Sequence, residues 1–331
     1  MNVLDNSTLT ADYNIVHGTH EQLVAFLVLN MWPSHLGLPV LLVTILLSKR
    51  IQRHATFINL CVAFIIVGIS STLLVYAGRT TGPEPSRMLC LLQASLLYGM
   101  PPLTSMAAFT LVLQMFLVIR AAYQGEEYLD RDHVARLWTM LITPYVAFFI
   151  GVLVTAIVGA NDPSRVSRNR RFFYCSVQSL PLTNTITIFA AIVLLATFVI
   201  EVWTVLILYK RWTALRAGGS SLRWSMELNL PVRIMGFGFY IIIAMSLSLL
   251  SIKSPSSPVP DLVIASAATV VMLIFGTQLD ILRVLFFWRK DSSASSHPES
   301  VDIIKLGDGL LGYDKELPKT PWEWARPVKS M

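Results

Sequence analysis

Charged residues are scarce in this sequence. Only 14% of its 331 residues are Asp, Glu, Lys or Arg, whereas a soluble domain carries about 25%. So few charges cannot cover a water-exposed surface, which argues against a soluble enzyme. The apolar content of 54% and the lack of a sustained heptad repeat argue against a disordered chain and a coiled coil.

Cysteine and histidine are also rare. Three cysteines are too few for a disulfide-dense scaffold or a four-cysteine zinc site. The His-Glu-x-x-His pattern of metalloproteases and the Gly-x-x-x-x-Gly-Lys loop of nucleotide-binding proteins do not occur. We therefore expect a protein that is not an enzyme, that needs no cofactor or metal, and that binds no nucleic acid.

Long apolar runs are what the sequence does contain. A helix that spans a membrane needs about 20 mostly apolar residues, and seven runs of this kind follow one another. We predict an all-α membrane protein, a seven-transmembrane helix bundle over residues 22–282. The predicted spans are residues 22–48, 55–78, 88–119, 137–160, 182–209, 232–252 and 261–282.

The distribution of Lys and Arg predicts the orientation. These residues are more frequent in the loops after the odd-numbered spans than in the loops after the even-numbered ones, which places the N-terminus outside and the C-terminus in the cytoplasm. Residues 1–21 then form an extracellular N-terminus, and its sequon at Asn6 is a predicted glycosylation site. Residues 283–290 form an amphipathic juxtamembrane helix or extend the seventh span, and residues 291–331 form a flexible cytoplasmic tail.

Two cysteines fall on the same side in this topology. Cys90 opens the third span at its outer end, and Cys175 lies in the second outer loop. Both are in an oxidising compartment, so we predict a disulfide between them; the alternative is two free thiols. Cys61, inside the second span, is interpreted as a small packing residue.

This arrangement resembles the seven-helix receptors that couple to heterotrimeric G proteins. The shared features are the outer N-terminus with a sequon and the positions of Cys90 and Cys175. The sixth span lacks Cys-Trp-x-Pro, the seventh lacks Asn-Pro-x-x-Tyr, and Arg120 has neither an acidic residue before it nor a tyrosine after it. The chain is therefore more similar to divergent, uncharacterised receptor-like proteins of fungi than to the rhodopsin-like class.

The resemblance implies a cell-surface receptor in the plasma membrane that crosses the lipid several times. It implies two partners besides membrane lipid, an unidentified extracellular ligand and a heterotrimeric G protein at the cytoplasmic face. The basic residues Arg211, Arg216 and Arg223 are the candidate G-protein contacts. A multi-pass transporter or channel-like protein is the alternative function, although an odd number of spans and the lack of a repeat disfavour it.

Glu201 is the one charged residue well inside an apolar run. A charge there is costly unless it is paired, protonated or hydrated, so the residue is a functional candidate. We predict an inner-face switch in which Glu201 pairs with Arg120 or Arg233. The alternative is a protonated or snorkelling Glu201 that only packs.

Polar but uncharged residues fall in the outer halves of the spans. Together they predict a pocket for a mostly apolar ligand held by a few hydrogen bonds. The arginines of the second outer loop are expected to favour an acidic or neutral ligand at its entry. The predicted pocket residues are Gln93, Ser95, Tyr98, Thr183, Asn184, Thr187, Ser246, Ser248, Ser266 and Thr269.

Overall fold

A computed structural model gives the fold of most of the apolar part of the chain. It describes residues 19–48, 54–81, 84–124, 134–168, 173–217, 233, 235–240, 242–243, 246, 258–277 and 281. The predicted glycosylation site Asn6, the pocket residue Ser248 and the G-protein contact Arg223 lie outside the described residues, as do the predicted juxtamembrane helix and tail.

Most of the described residues are helical, and the described part also contains one pair of very short strands. The helices are α1 (His20–Leu47), α2 (Ala55–Ser71, followed by the turn Leu73–Tyr76), α3 (Arg87–Gln124), α4 (Val134–Asn161), α5 (Leu180–Ala217), α6 (residues 235–240) and α7 (Val259–Ala265 and Ala267–Gly276). The antiparallel strands are β1 (Val166–Ser167) and β2 (Ser176–Val177), which pair Val166 with Val177 and Ser167 with Ser176.

Five helices among the described residues are long and apolar enough to cross a membrane: α1, α3, α4, α5 and α7. Helix α2 is apolar but shorter. The prediction of a multi-pass, all-α membrane protein is confirmed at this level.

Several helix bounds differ from the predicted spans; α5, for example, continues to Ala217 although its predicted span stops at residue 209. Helix α3 continues to Gln124, although the predicted span stops at residue 119, because a helix can extend beyond the hydrocarbon core into the interface. The second predicted span, residues 55–78, is interrupted at Thr72. The Thr72 hydroxyl donates to the Gly68 carbonyl at 2.8 Å and so satisfies a carbonyl near the end of α2.

Helix α1 contains a π-helical segment, Trp32–Gly37. Pro33 lies in this segment and has no backbone N–H to donate, which favours a local change of hydrogen-bond register. The segment packs against α2 and α7. Ser34 and Gly68 meet there, so closely that a Cβ atom on Gly68 would overlap the Ser34 side chain.

Helix α3 is the central helix of the bundle. Of its spanning window, 67% is buried, compared with 22% for α4 and for α5. It packs against α2, α4 and α5, and small residues such as Ala107 and Ala108 allow close approach. Gly99 of α3 faces α4, where an added Cβ would overlap Phe148 and Val152.

Helix α6 is placed by contacts with α2 and α7. The buried Phe237 ring lies 6.2 Å from the Phe64 ring and 6.0 Å from the Phe275 ring, measured between centroids. Arg233 donates to the Thr277 hydroxyl at 3.1 Å, whereas Tyr240 donates to the Val263 carbonyl at 2.8 Å. The chain from Arg233 to Tyr240 therefore runs antiparallel to α7.

Candidate functional site

The disulfide end of the bundle is the end that carries Cys90 and Cys175. A disulfide joins these residues, with their Cα atoms 5.3 Å apart, as predicted. It ties α3 to the disulfide loop, which we define as residues 162–168 and 173–179. The loop contains the β1–β2 pair, and both cysteines are buried.

Gln93 holds the same loop by hydrogen bonds. Its side chain is fully buried; Oε1 accepts from the Cys175 backbone N–H at 3.1 Å, and Nε2 donates to the Ser71 carbonyl at 3.4 Å. A buried backbone N–H needs such a partner, because leaving it unpaired is costly. The structure thus gives Gln93 an anchoring role instead of a place in an open pocket.

The disulfide loop also contacts the first and last helices. The Phe173 ring stacks on the Phe26 ring of α1 at a centroid distance of 4.8 Å. The Tyr174 hydroxyl donates to the Asp261 carboxylate of α7 at 3.0 Å. Through these contacts and the disulfide, one loop connects α1, α3 and α7.

Two arginines of the loop are engaged by the protein itself. Arg168 is only 2% exposed and donates to the carbonyls of Arg79 and Thr80. Burial lowers the pKa of its guanidinium, while the charge of Glu84 acts in the opposite direction. Arg165 pairs with Asp162 at 2.6 Å. The charges of these two arginines are thus partly compensated by protein groups.

Most of the predicted pocket hydroxyls bind neighbouring protein atoms. Ser95 donates to its own helix at Leu91, 2.8 Å away. The Tyr98 hydroxyl donates to the Val177 carbonyl at 2.9 Å and lies 3.3 Å from the Thr183 hydroxyl. Tyr98 therefore fastens α3 to the disulfide loop and to α5, whereas Ser95 bonds only within α3.

The remaining predicted pocket residues differ in exposure and in their hydrogen bonds. Ser266 donates to the Val263 carbonyl and lies 2.6 Å from the Tyr240 hydroxyl. Asn184 and Ser246 are exposed and Thr187 is half-buried. The Thr269 hydroxyl is buried without a hydrogen-bond partner within the described part of the chain. The ligand pocket therefore stays a prediction, and the described contacts of its residues are with protein atoms.

Glu201 is buried on α5, with 6% of its surface exposed. Its Oε1 atom has no hydrogen-bond partner in the part of the chain that the structure describes. The carboxylate lies against Gly238 of α6, where an added Cβ would overlap it. This contact between Glu201 and Gly238, which we call the α5–α6 contact, was not predicted from the sequence.

The predicted partners of Glu201 lie elsewhere. Arg120 is exposed, and Arg233 reaches the Ile274 carbonyl and the Thr277 hydroxyl of α7. Between described residues, Glu201 forms no ion pair with either arginine, so the predicted switch is not assembled in this structure. Arg211 and Arg216 lie on the last turns of α5, and their side chains are outside the described part.

An apolar groove lies between α3, α4 and α5. Its volume is about 680 Å³. Its lining is apolar except for three hydroxyl-bearing residues, Thr143, Ser179 and Thr185. Sequence reasoning missed the groove because its apolar residues are indistinguishable from ordinary lipid-facing residues of a span.

No protein-family model matches this sequence, and no curated protein matches it either.

Proposed function

We propose that this chain is a plasma-membrane receptor with seven spans, its N-terminus outside and its C-terminus in the cytoplasm. In this proposal a mostly apolar extracellular ligand binds near the disulfide end. The signal passes to a heterotrimeric G protein at the opposite end, which we call the far end.

The antiparallel run of α6 and α7 supports seven spans. Helix α5 leaves the disulfide end at Leu180, and α7 begins again at that end with Asp261 under Tyr174. This placement supports one more crossing between them. The contacts of Arg233 and Tyr240 along α7 fit this additional crossing.

The observation that carries the receptor proposal is the disulfide loop. It is joined to α1, α3 and α7 by Phe173, Cys175 and Tyr174. A ligand that changes the position of this loop acts on three helices at once. Because packed helices have discrete arrangements, such a change can be transmitted along them to the far end.

A G-protein dissociation assay tests the proposal. Cells that express the chain with each Gα subtype are exposed to a library of apolar ligands, and dissociation is followed by resonance energy transfer. We expect a ligand-dependent loss of signal for at least one subtype, absent from cells without the protein. Tyr174→Phe removes the hydrogen bond to Asp261 and is expected to lower ligand potency about fivefold at equal surface density.

Glu201 favours a second candidate, a proton-coupled transporter. Buried carboxylates inside spans are frequent members of proton relays, and Glu201 has an unpartnered oxygen in the described structure. Purified protein in proteoliposomes distinguishes the two functions. A transporter is expected to take up solute when a proton gradient is applied and to lose this uptake in Glu201→Gln. If this result is found and no Gα subtype responds, the transporter replaces the receptor proposal.

A further inference from the structure

The groove between α3, α4 and α5 opens sideways from the bundle. Four of its lining residues, Val146, Ile150, Val154 and Phe189, have between 40% and 58% of their surface exposed. They lie on helices that are long and apolar enough to cross a membrane. In a membrane these surfaces meet hydrocarbon, so the groove is accessible to lipids instead of water-soluble molecules.

The dimensions of the groove suit one small lipid molecule. Along α4 its lining extends from Thr143 to Val158, which corresponds to roughly 22 Å of helix. Its volume of about 680 Å³ is within the range of roughly 300–1,000 Å³ typical of small-molecule sites.

Most of the polar atoms in the lining are already used. The Thr143 hydroxyl donates to the Thr139 carbonyl at 2.5 Å, and the Thr185 hydroxyl donates to the Pro181 carbonyl at 2.8 Å. Gly151 lies against Gly99 of α3, so the floor of the groove there is formed by backbone. The body of the groove therefore offers apolar contact and shape without hydrogen bonds.

Ser179 differs from these residues. It lines the groove at the disulfide end and is 8% exposed. Its backbone carbonyl accepts from Thr183 at 3.0 Å, but none of the described residues offers its hydroxyl a hydrogen-bond partner. An apolar groove with a single unpaired hydroxyl at one end is complementary to an apolar ligand that has one polar group at one end.

We propose that this groove binds a sterol, with the sterol hydroxyl at Ser179 and the ring system along α4 and α5. The described lining contains no Lys, Arg, Asp or Glu to meet a phospholipid headgroup or a fatty-acid carboxylate. A neutral, rigid lipid with one hydroxyl satisfies both the apolar body and Ser179. The proposal needs only a membrane-embedded protein and does not depend on the receptor function.

Photolabelling of the full-length protein tests this site. Purified protein in nanodiscs is irradiated with a photoreactive, alkyne-bearing sterol, and the labelled peptides are identified by mass spectrometry. We expect saturable labelling of α4 or α5 that excess sterol displaces. The methyl ether of the same sterol, which cannot donate a hydrogen bond, is expected to compete about fivefold more weakly.

Two substitutions locate the ligand. Ala147→Trp fills the groove and is expected to lower labelling at least tenfold. Ala160→Trp, the same change at an exposed position of α4 outside the groove lining, is expected to leave labelling unchanged. Ser179→Ala is expected to weaken binding about fivefold and to abolish the difference between the sterol and its methyl ether.

The controls make each outcome decisive. Only variants that keep the melting temperature and the Cys90–Cys175 disulfide are compared, and Ser179→Ala decides if Ala147→Trp does not fold. If the Ala147→Trp protein and the unaltered protein are labelled equally, the sterol does not bind in this groove. Equal competition by a diacylglycerol, or unchanged sterol preference in Ser179→Ala, would overturn the assignment to a sterol.

Discussion

Gln93 and Glu201 are both buried polar residues in spanning helices, yet their surroundings are opposite. Gln93, at the disulfide end, contacts the Cys175 N–H and the Ser71 carbonyl. Glu201, nearer the far end, has a carboxylate oxygen without a described partner and lies against Gly238 of α6. One residue completes a network and the other does not.

This difference indicates which part of the bundle is fixed and which can rearrange. A satisfied buried network favours a single arrangement, whereas an unpaired buried carboxylate weakens the arrangement that contains it. The disulfide adds a covalent constraint at the satisfied end. We therefore expect the helices around Gln93 to keep one arrangement. We expect α5 and α6 to move relative to each other more easily at the α5–α6 contact.

The largest effect is expected from removing the disulfide. Replacing Cys90 and Cys175 by serine frees a link between residues 85 positions apart in sequence and is expected to cost about 2–5 kcal/mol. Thermal unfolding in detergent measures the loss. Cys61→Ala, at a buried free cysteine, is the control, and equal melting temperatures for the two proteins would contradict the covalent anchoring of this end.

Gln93→Leu is expected to have a smaller effect than removal of the disulfide. The leucine keeps most of the volume but leaves the Cys175 N–H and the Ser71 carbonyl without their partner, at a cost of about 1–3 kcal/mol. Gln178→Leu changes an exposed glutamine of the same loop and is expected to change little. If the two variants have the same melting temperature, Gln93 does not anchor the loop.

Gly238→Ala tests the α5–α6 contact. The added Cβ would overlap the Glu201 carboxylate, so the helices must shift to make room. We expect this shift to lower the free energy of unfolding by about 1–3 kcal/mol. Adding Glu201→Ala should restore most of the loss in a double-mutant cycle. A Cβ on Gly236 meets nothing within 4 Å, so Gly236→Ala should be neutral or stabilising, and the account fails here if both alanines destabilise equally.

The smallest effect is expected at the exposed pair of Asp162 and Arg165. Hydrogen bonding by the Ser164 hydroxyl, helped by Arg165, lowers the pKa of Asp162 from its ordinary 3.8. Its contribution to stability is therefore complete above that value and is lost as the pH falls through the lowered pKa. Asp162→Asn should change the melting temperature by at most a degree or two at pH 7, and a larger loss measured there would contradict this expectation.

The sequence predicted the coarse fold because hydropathy alone identifies long apolar helices. It also predicted the Cys90–Cys175 disulfide, since topology placed both residues on one side. It did not predict the π-helical segment Trp32–Gly37 or the break at Thr72, because these depend on individual hydrogen bonds of the backbone and of the Thr72 hydroxyl.

The candidate site was less predictable because contacts across helices depend on how the helices are rotated. Glu201 was recognised from its charge, but its neighbour Gly238 was not; the closely spaced glycines 236 and 238 were the available signal. Arg168 belongs to the outer loop whose arginines were expected to favour an acidic or neutral ligand, and it is buried against backbone carbonyls. Polar residues such as Gln93 and Tyr98 were correctly placed near the disulfide end, but their partners are protein atoms.

The most direct test of the receptor account is the basal activity of Gly238→Ala. The added methyl group overlaps the Glu201 carboxylate and is expected to push α6 away from α5. In a receptor that signals by helix rearrangement, such a shift of α6 at the far end is expected to favour the state that binds a G protein. At equal surface density and without ligand, Gly238→Ala should raise G-protein dissociation above the level of Gly236→Ala for at least one Gα subtype. Identical basal dissociation for both variants, with every subtype, would contradict the account.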